Sequence, residues 1–111
     1  MKVEQAVKAL AALAQDSRLS VFRILVQKGP SGLPAGAISE KLDVPAPTLS
    51  FHLSQLSNAG LIKSTRDGRS IIYAADYDAM RELVNFLMEN CCRGEVCNET
   101  VSRPRSSGKS R

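Results

Sequence analysis

The sequence predicts a mainly α-helical fold carrying one β-hairpin, on three observations. The first is apolar spacing. Leu49, Leu53 and Leu56 recur at i, i+4 and i+7, and Met80, Leu83, Val84 and Leu87 at i, i+3, i+4 and i+7, the period of a helix with one buried face. The second is punctuation: Gly29-Pro30, Pro34, Pro47 and Ala59-Gly60 stand where helices start and stop. The third is Asp67-Gly68, a two-residue hairpin signal between β-prone runs. With 111 residues the chain makes one domain. It has no Trp and only 5% aromatic residues, so its core must be Leu, Ile, Val and Ala.

In chain order, Val3, Ala6, Val7, Leu10, Leu13 and Ala14 give a first helix with an apolar stripe, and Ala9, Ala11 and Ala12 leave its other side thin in charge. That is more apolar surface than a small domain needs to cover, so a partner helix is expected. Asp16 can cap a second helix ending at Gly29-Pro30. Leu19, Val21, Phe22, Ile24, Leu25 and Val26 make it apolar nearly all round, which puts it in the core. Residues 31 to 33 connect to a short third helix, opened by Pro34 and running to about Leu42, with Ile38 and Leu42 inward. Asp43 to Ala46 form a tight turn into the next helix, giving a helix-turn-helix. The hairpin follows. Asp76 then caps a last helix running to about Cys91, its stripe widened by Phe86 and Met88. Excess apolar surface on both terminal helices predicts a two-fold homodimer through Val3, Val7, Leu10, Met80, Leu83, Val84 and Leu87. Residues 1–97 are read as the domain and 98–111 as a basic, disordered tail.

Net charge is +4, but four basic residues against Glu99 place +3 of it in the tail, leaving +1 on residues 1 to 97. The local arrangement is therefore the stronger guide to a partner. Residues 44 to 62 hold no Asp, Glu, Lys or Arg in a chain that is 23% charged. Ser50, Phe51, Ser54 and Gln55 lie away from the leucine face and offer hydroxyls, an amide and one ring. With Thr48, Ser50 and Gln55 such a helix suits a major groove, where these groups meet base edges. Phe51 either touches a base step or thymine methyl, or packs against the hairpin. His52, the chain's one histidine, is read as bonding phosphate or backbone. Arg66 and Arg69 flank the hairpin turn and Lys63 precedes it, a wing that can lie along phosphates of double-stranded DNA. No apolar run reaches membrane-spanning length and no signal peptide opens the chain, so a cytoplasmic location is expected, with no membrane partner. There is no Ser/His/Asp set, phosphate loop or paired carboxylates, so neither an enzyme nor an organic cofactor is expected.

All three cysteines fall within seven residues, Cys91-Cys92-Arg93-Gly94-Glu95-Val96-Cys97. In a cytosolic protein that points to metal binding or redox work rather than structural disulfides. On a regular helix Cys91 and Cys92 diverge by about 100°, so joint ligation needs the helix to end there. Gly94 lets the chain turn back with Cys97, and Arg93 favours thiolate. Three soft thiolates without imidazole suit As(III) or Sb(III). The alternatives are a redox sensor pairing these thiols, or a cadmium or lead sensor. A last alternative is that Cys91 merely extends the Leu87 stripe and the other two cysteines are incidental.

The runs Asp-Ser-Arg-Leu-Ser-Val-Phe-Arg-Ile-Leu at 16 to 25, Pro-Thr-Leu-Ser-Phe-His-Leu-Ser-Gln-Leu at 47 to 56, Ala-Gly-Leu-Ile at 59 to 62 and Arg-Asp-Gly-Arg-Ser-Ile-Ile-Tyr at 66 to 73 together resemble the ArsR/SmtB family, over about residues 3 to 92. That resemblance implies a bacterial winged helix-turn-helix repressor, a homodimer on an inverted-repeat operator, released by a metal or metalloid. Many arsenic-responsive members carry a Cys-Val-Cys-type motif where this chain has Pro34, Gly36 and Ser39. Zinc-responsive members use Asp and His on the last helix; here Asp76 and Asp78 are present without the histidines, and Glu89 and Cys92 stand at the distal positions. Some arsenite-responsive members carry a vicinal cysteine pair with a nearby third cysteine at this C-terminal location. The resemblance thus implies an arsenite-responsive repressor, with His52 on the DNA side.

Overall fold

The helix Asp16–Lys28 (α2) supplies Val21, Phe22 and Leu25 to the core. In the computed structural model, which describes residues 1–94, it follows α1 (Val3–Leu13) and precedes α3 (Ala35–Leu42) and α4 (Ala46–Asn58). Strands β2 (Ile62–Asp67) and β3 (Ser70–Ala75), helix α5 (Tyr77–Met88) and a 3-10 turn at Cys91–Gly94 complete the chain, with a two-residue strand β1 (Leu33–Pro34) before α3. The expected mainly helical fold with a hairpin wing is what forms. The tail and Cys97 lie outside the described residues.

The segment 31 to 33, read as a connector, holds a strand. Leu33 pairs with Tyr73 and Pro34 with Ile72, so the hairpin gains a third antiparallel strand in the order β1-β3-β2. Pro34 is tolerated because β1 is an edge. Gly32 makes the approach possible. Its φ is +71° and a Cβ there would stand 2.3 Å from the Tyr73 carbonyl oxygen.

Two helix ends differ from expectation. The α2 cap is Gln15, whose side-chain oxygen accepts from the Arg18 amide at 2.8 Å; Asp16 is already helical. Helix α5 begins as expected, with Asp76 accepting from the Ala79 amide at 3.1 Å. It stops at Met88 rather than Cys91 because Asn90 and Cys92 take φ of 59° and 57°, in the left-handed region.

Helix α1 meets the core through its small residues. Its buried face is Ala6, Ala9 and Ala12, and Val3, Val7 and Leu10 point outward. Alanines let α1 lie close on the core, and the bulky stripe is left exposed. On α5, Leu83 is 6% exposed and belongs to the core of its own chain; Met80 is half-buried against it, while Val84, Leu87 and Met88 are exposed. The Tyr77 hydroxyl donates to the Val26 carbonyl at 2.9 Å and so ties the start of α5 to the end of α2.

Candidate nucleic-acid interface and cysteine cluster

The turn between α3 and α4 is locked from the sequence upward. Asp43 takes φ 53°, which reverses the chain. The Val44 amide donates to the Ser39 carbonyl at 3.1 Å, and the Ser39 hydroxyl donates to the Val44 carbonyl. Helix α4 then starts at Pro45-Ala46-Pro47, where missing amide hydrogens cost nothing. It ends in a Schellman closure: Leu61 donates to the Leu56 carbonyl at 3.1 Å and Gly60, with φ +78°, to Ser57 at 2.9 Å. Both ends being fixed, the helix has one rigid orientation.

Leu49, His52, Leu53 and Leu56 form its buried face. The opposite line is Pro47, Phe51, Ser54 and Asn58, all exposed, flanked by Thr48, Ser50 and half-buried Gln55. Thr48, Ser50, Phe51 and Gln55 thus share the side expected to read DNA. Phe51 is 57% exposed, so it is presented rather than packed away against the hairpin. Asn58 was missed by sequence reasoning, although the i, i+4, i+7, i+11 series from Pro47 contains it.

His52 does not join this face. It is 7% exposed, and its Nδ1 has no hydrogen-bond partner among the described residues. Its position falls at the edge of the leucine stripe, and the helical phase turns the ring inward. Burial first, and the Arg18 charge second, hold its pKa below the ordinary 6.5, so the neutral ring is favoured. The expected DNA-side role for His52 is therefore corrected to a core role.

In the wing, Asp67 pairs with Ser70, so the turn residues are Gly68 and Arg69, one place later than the Asp67-Gly68 signal suggested. Gly68 supplies the positive φ of 64° that a two-residue turn needs. Arg69 is therefore at the tip and Arg66, opposite Ile71, one step behind it. Lys63 is not brought to them. It pairs with Ala74 at the wing's root, about 13 Å from Asp67 along the strand. There it lines a cleft of about 400 Å³ with Asp76, Asp78 and Arg81.

After α5 the left-handed residues at 90 and 92 turn the chain so that Cys91 Sγ and Cys92 Sγ, both exposed, lie 3.5 Å apart. A regular helix would have splayed them. The carboxylates at the other end of α5 are engaged elsewhere: Asp76 caps the helix and Asp78 pairs with Arg81 at 2.6 Å. Among the described residues no group of three His, Cys, Asp or Glu side chains is clustered to hold a metal.

Residues 13–65 match the family model described as a helix-turn-helix domain. The chain is 30% identical over 89 residues to the HTH-type transcriptional regulator YgaV of Escherichia coli, covering 80% of this chain and 88% of that protein. The ArsR/SmtB family is where this chain belongs. An ArsR-like transcriptional regulator from Rhodococcus superposes with a TM-score of 0.71 at 23% identity, over 81% of this chain and 82% of that one. A homodimeric winged helix-turn-helix DNA-binding domain from Mycobacterium bovis gives 0.65 at 22%, over 87% and 90%. This ArsR/SmtB protein is a transcriptional regulator with a helix-turn-helix DNA-binding domain, and the relatives named are regulators rather than enzymes. No helix among its described residues is long and apolar enough to cross a membrane.

Proposed function

We propose that this regulator is a homodimeric repressor that binds an inverted-repeat operator and releases it when As(III) or Sb(III) is held by Cys91, Cys92 and Cys97. The observation that carries the reading is the 3.5 Å separation of the first two sulfurs. With an ion–sulfur distance of about 2.3 Å, that separation subtends an angle of about 100° at a shared ion, near the value for pyramidal three-fold sulfur coordination. The donor set contains sulfur and no imidazole, which favours a soft ion over zinc. Cys97 lies five residues beyond Cys92, within reach if the chain turns back at Gly94.

The homodimer is supported by the exposed Val3, Val7 and Leu10 of α1 and Val84, Leu87 and Met88 of α5, and by the homodimeric Mycobacterium bovis neighbour. An ion gathered at the end of α5 acts on the interface rather than on the reading helix. Because α5 is tied to α2 through Tyr77, a change in dimer geometry displaces the two α4 helices from successive grooves. It shifts DNA binding by the ion's differential affinity for the two geometries.

Cys92 is disulfide-bonded in the structure, and this favours one second reading, a thiol redox sensor of the same fold. Reduced full-length protein treated with arsenite, then alkylated and weighed by mass spectrometry, separates the two. The metalloid reading expects one arsenic per chain and three thiols protected from alkylation. Unchanged alkylation of all three thiols, with DNA release by peroxide alone, would favour the redox reading.

A further inference from the structure

A second basic surface lies beside the reading helix, outside both the helix-turn-helix and the wing. Lys8 of α1 and Arg18 of α2 line a cleft of about 280 Å³ with Gln55, Asn58 and Ala59 at the C-terminal end of α4. Asn58 stands on the outward line of α4 and Gln55 on its flank, so this cleft borders the face that reads DNA. That face carries no cation of its own.

The two cations are placed to receive an anion. Arg18 Nε donates to the Ala12 carbonyl at 2.7 Å, which fixes the guanidinium plane. Its terminal nitrogens make no hydrogen bond or ion pair among the described residues, where Asp78–Arg81 is the one ion pair. The Arg18 charge also reaches His52, whose protonation it disfavours after burial. Lys8 lies on the flank of α1, between the buried alanines and the outward Val3, Val7 and Leu10. A second copy seated on that apolar stripe therefore leaves Lys8 open. Glu82 lines an adjoining cleft with Lys8 but stands beyond ion-pair distance from it.

We propose that Lys8 and Arg18 form a clamp for a DNA backbone phosphate beside the C-terminal end of α4. The proposal rests on DNA binding by the uncharged face of α4. Phosphate oxygens accept from the fixed guanidinium and from the mobile ammonium, a charge-assisted pair that positions the duplex without reading sequence. The reading helix is then held from two sides, by the wing tip and by this cleft, which explains how a helix without cations stays seated on a polyanion.

The test is a salt series with a short mixed-sequence DNA duplex and the full-length dimer, read by fluorescence anisotropy. Losing one phosphate contact lowers the slope of log K against log salt by about 0.9. Lys8→Gln should show that drop and Lys8→Arg should restore the wild-type slope. Lys28→Gln, the same charge change at the far end of α2, should leave it unaltered. A Lys8→Gln slope equal to wild type overturns the clamp, and so does an equal drop in Lys28→Gln. Wild-type protein that does not bind the duplex at all overturns the DNA-binding face itself, which is a different result. Lys8 is exposed, so circular dichroism should show all these variants folded.

Discussion

Removing the wing-tip arginines should take away a sequence-independent share of DNA affinity whose size follows from the geometry. Arg69 occupies the turn and Arg66 the ladder position next to its last pair, both exposed, so each can neutralise one phosphate. Each lost contact lowers the salt slope by about 0.9. Over a fourfold salt range that is a factor of about 3.5 per arginine and about 12 for the pair. The assay is anisotropy of a labelled duplex titrated with Arg66→Ala, Arg69→Ala and the double variant across a salt series. The two single variants should each lose about 0.9 from the slope and the double variant about 1.8, and competing sequences should weaken alike. Lys63→Ala should leave the slope where it was, because Lys63 sits at the wing's root among Asp76 and Asp78. Should Lys63→Ala flatten the slope and Arg69→Ala not, the wing would have been placed the wrong way round.

Further outcomes follow from burial and backbone geometry. Leu87→Asp, on an exposed position, should give folded monomers by sedimentation and circular dichroism, whereas Leu83→Asp, at 6% exposure, should unfold the chain by burying an unpaired charge. A folded monomeric Leu83→Asp would show that Leu83 faces the partner after all. Because His52 is held below 6.5, the unfolded chain takes up its proton first as pH falls. Stability present above that value should therefore be lost as pH drops through it and on past the folded value. His52→Leu should flatten this acid slope in thermal melts; an unchanged slope would assign it to other groups. Gly32→Ala, with φ +71° and the Tyr73 carbonyl 2.3 Å from the new Cβ, should cost at least about 1 kcal/mol. Hydrogen exchange should then show β1 released from β3, and full protection there would contradict the close approach.

Most of the architecture was legible because it rests on local signals. The leucine spacing of α4, the prolines before it and Ala59-Gly60 after it bracket one helix, and Asp67-Gly68 marks a hairpin within one residue of its turn. The failures have physical causes. Strand β1 is two residues long and exists only through pairing with β3, forty residues away in sequence, so no local pattern announces it. The burial of His52 depends on a helical phase that differs little from the outward one at the edge of a stripe. For α1, the sequence assigns Val3, Val7 and Leu10 to a partner, and they are exposed; which residues of α1 meet its own core is not read from it, and close packing selects the alanines. At the cysteines the chemistry was readable from residue type. The adjacency of Cys91 and Cys92 sulfurs was not, because it depends on left-handed conformations at Asn90 and Cys92.

Control of DNA binding by a soft metalloid on Cys91, Cys92 and Cys97 is tested most directly by metalloid-driven release of operator. Operator selected from a random pool by the reduced wild-type protein is titrated with arsenite, in parallel with the triple Cys→Ser protein, under constant reductant. Coupling of about 3 kcal/mol corresponds to release of about 150-fold. Wild-type protein should let go of the operator over such a range, and the triple variant should bind equally well with or without arsenite. Normal release from the triple variant, which has no thiol left, would contradict that control.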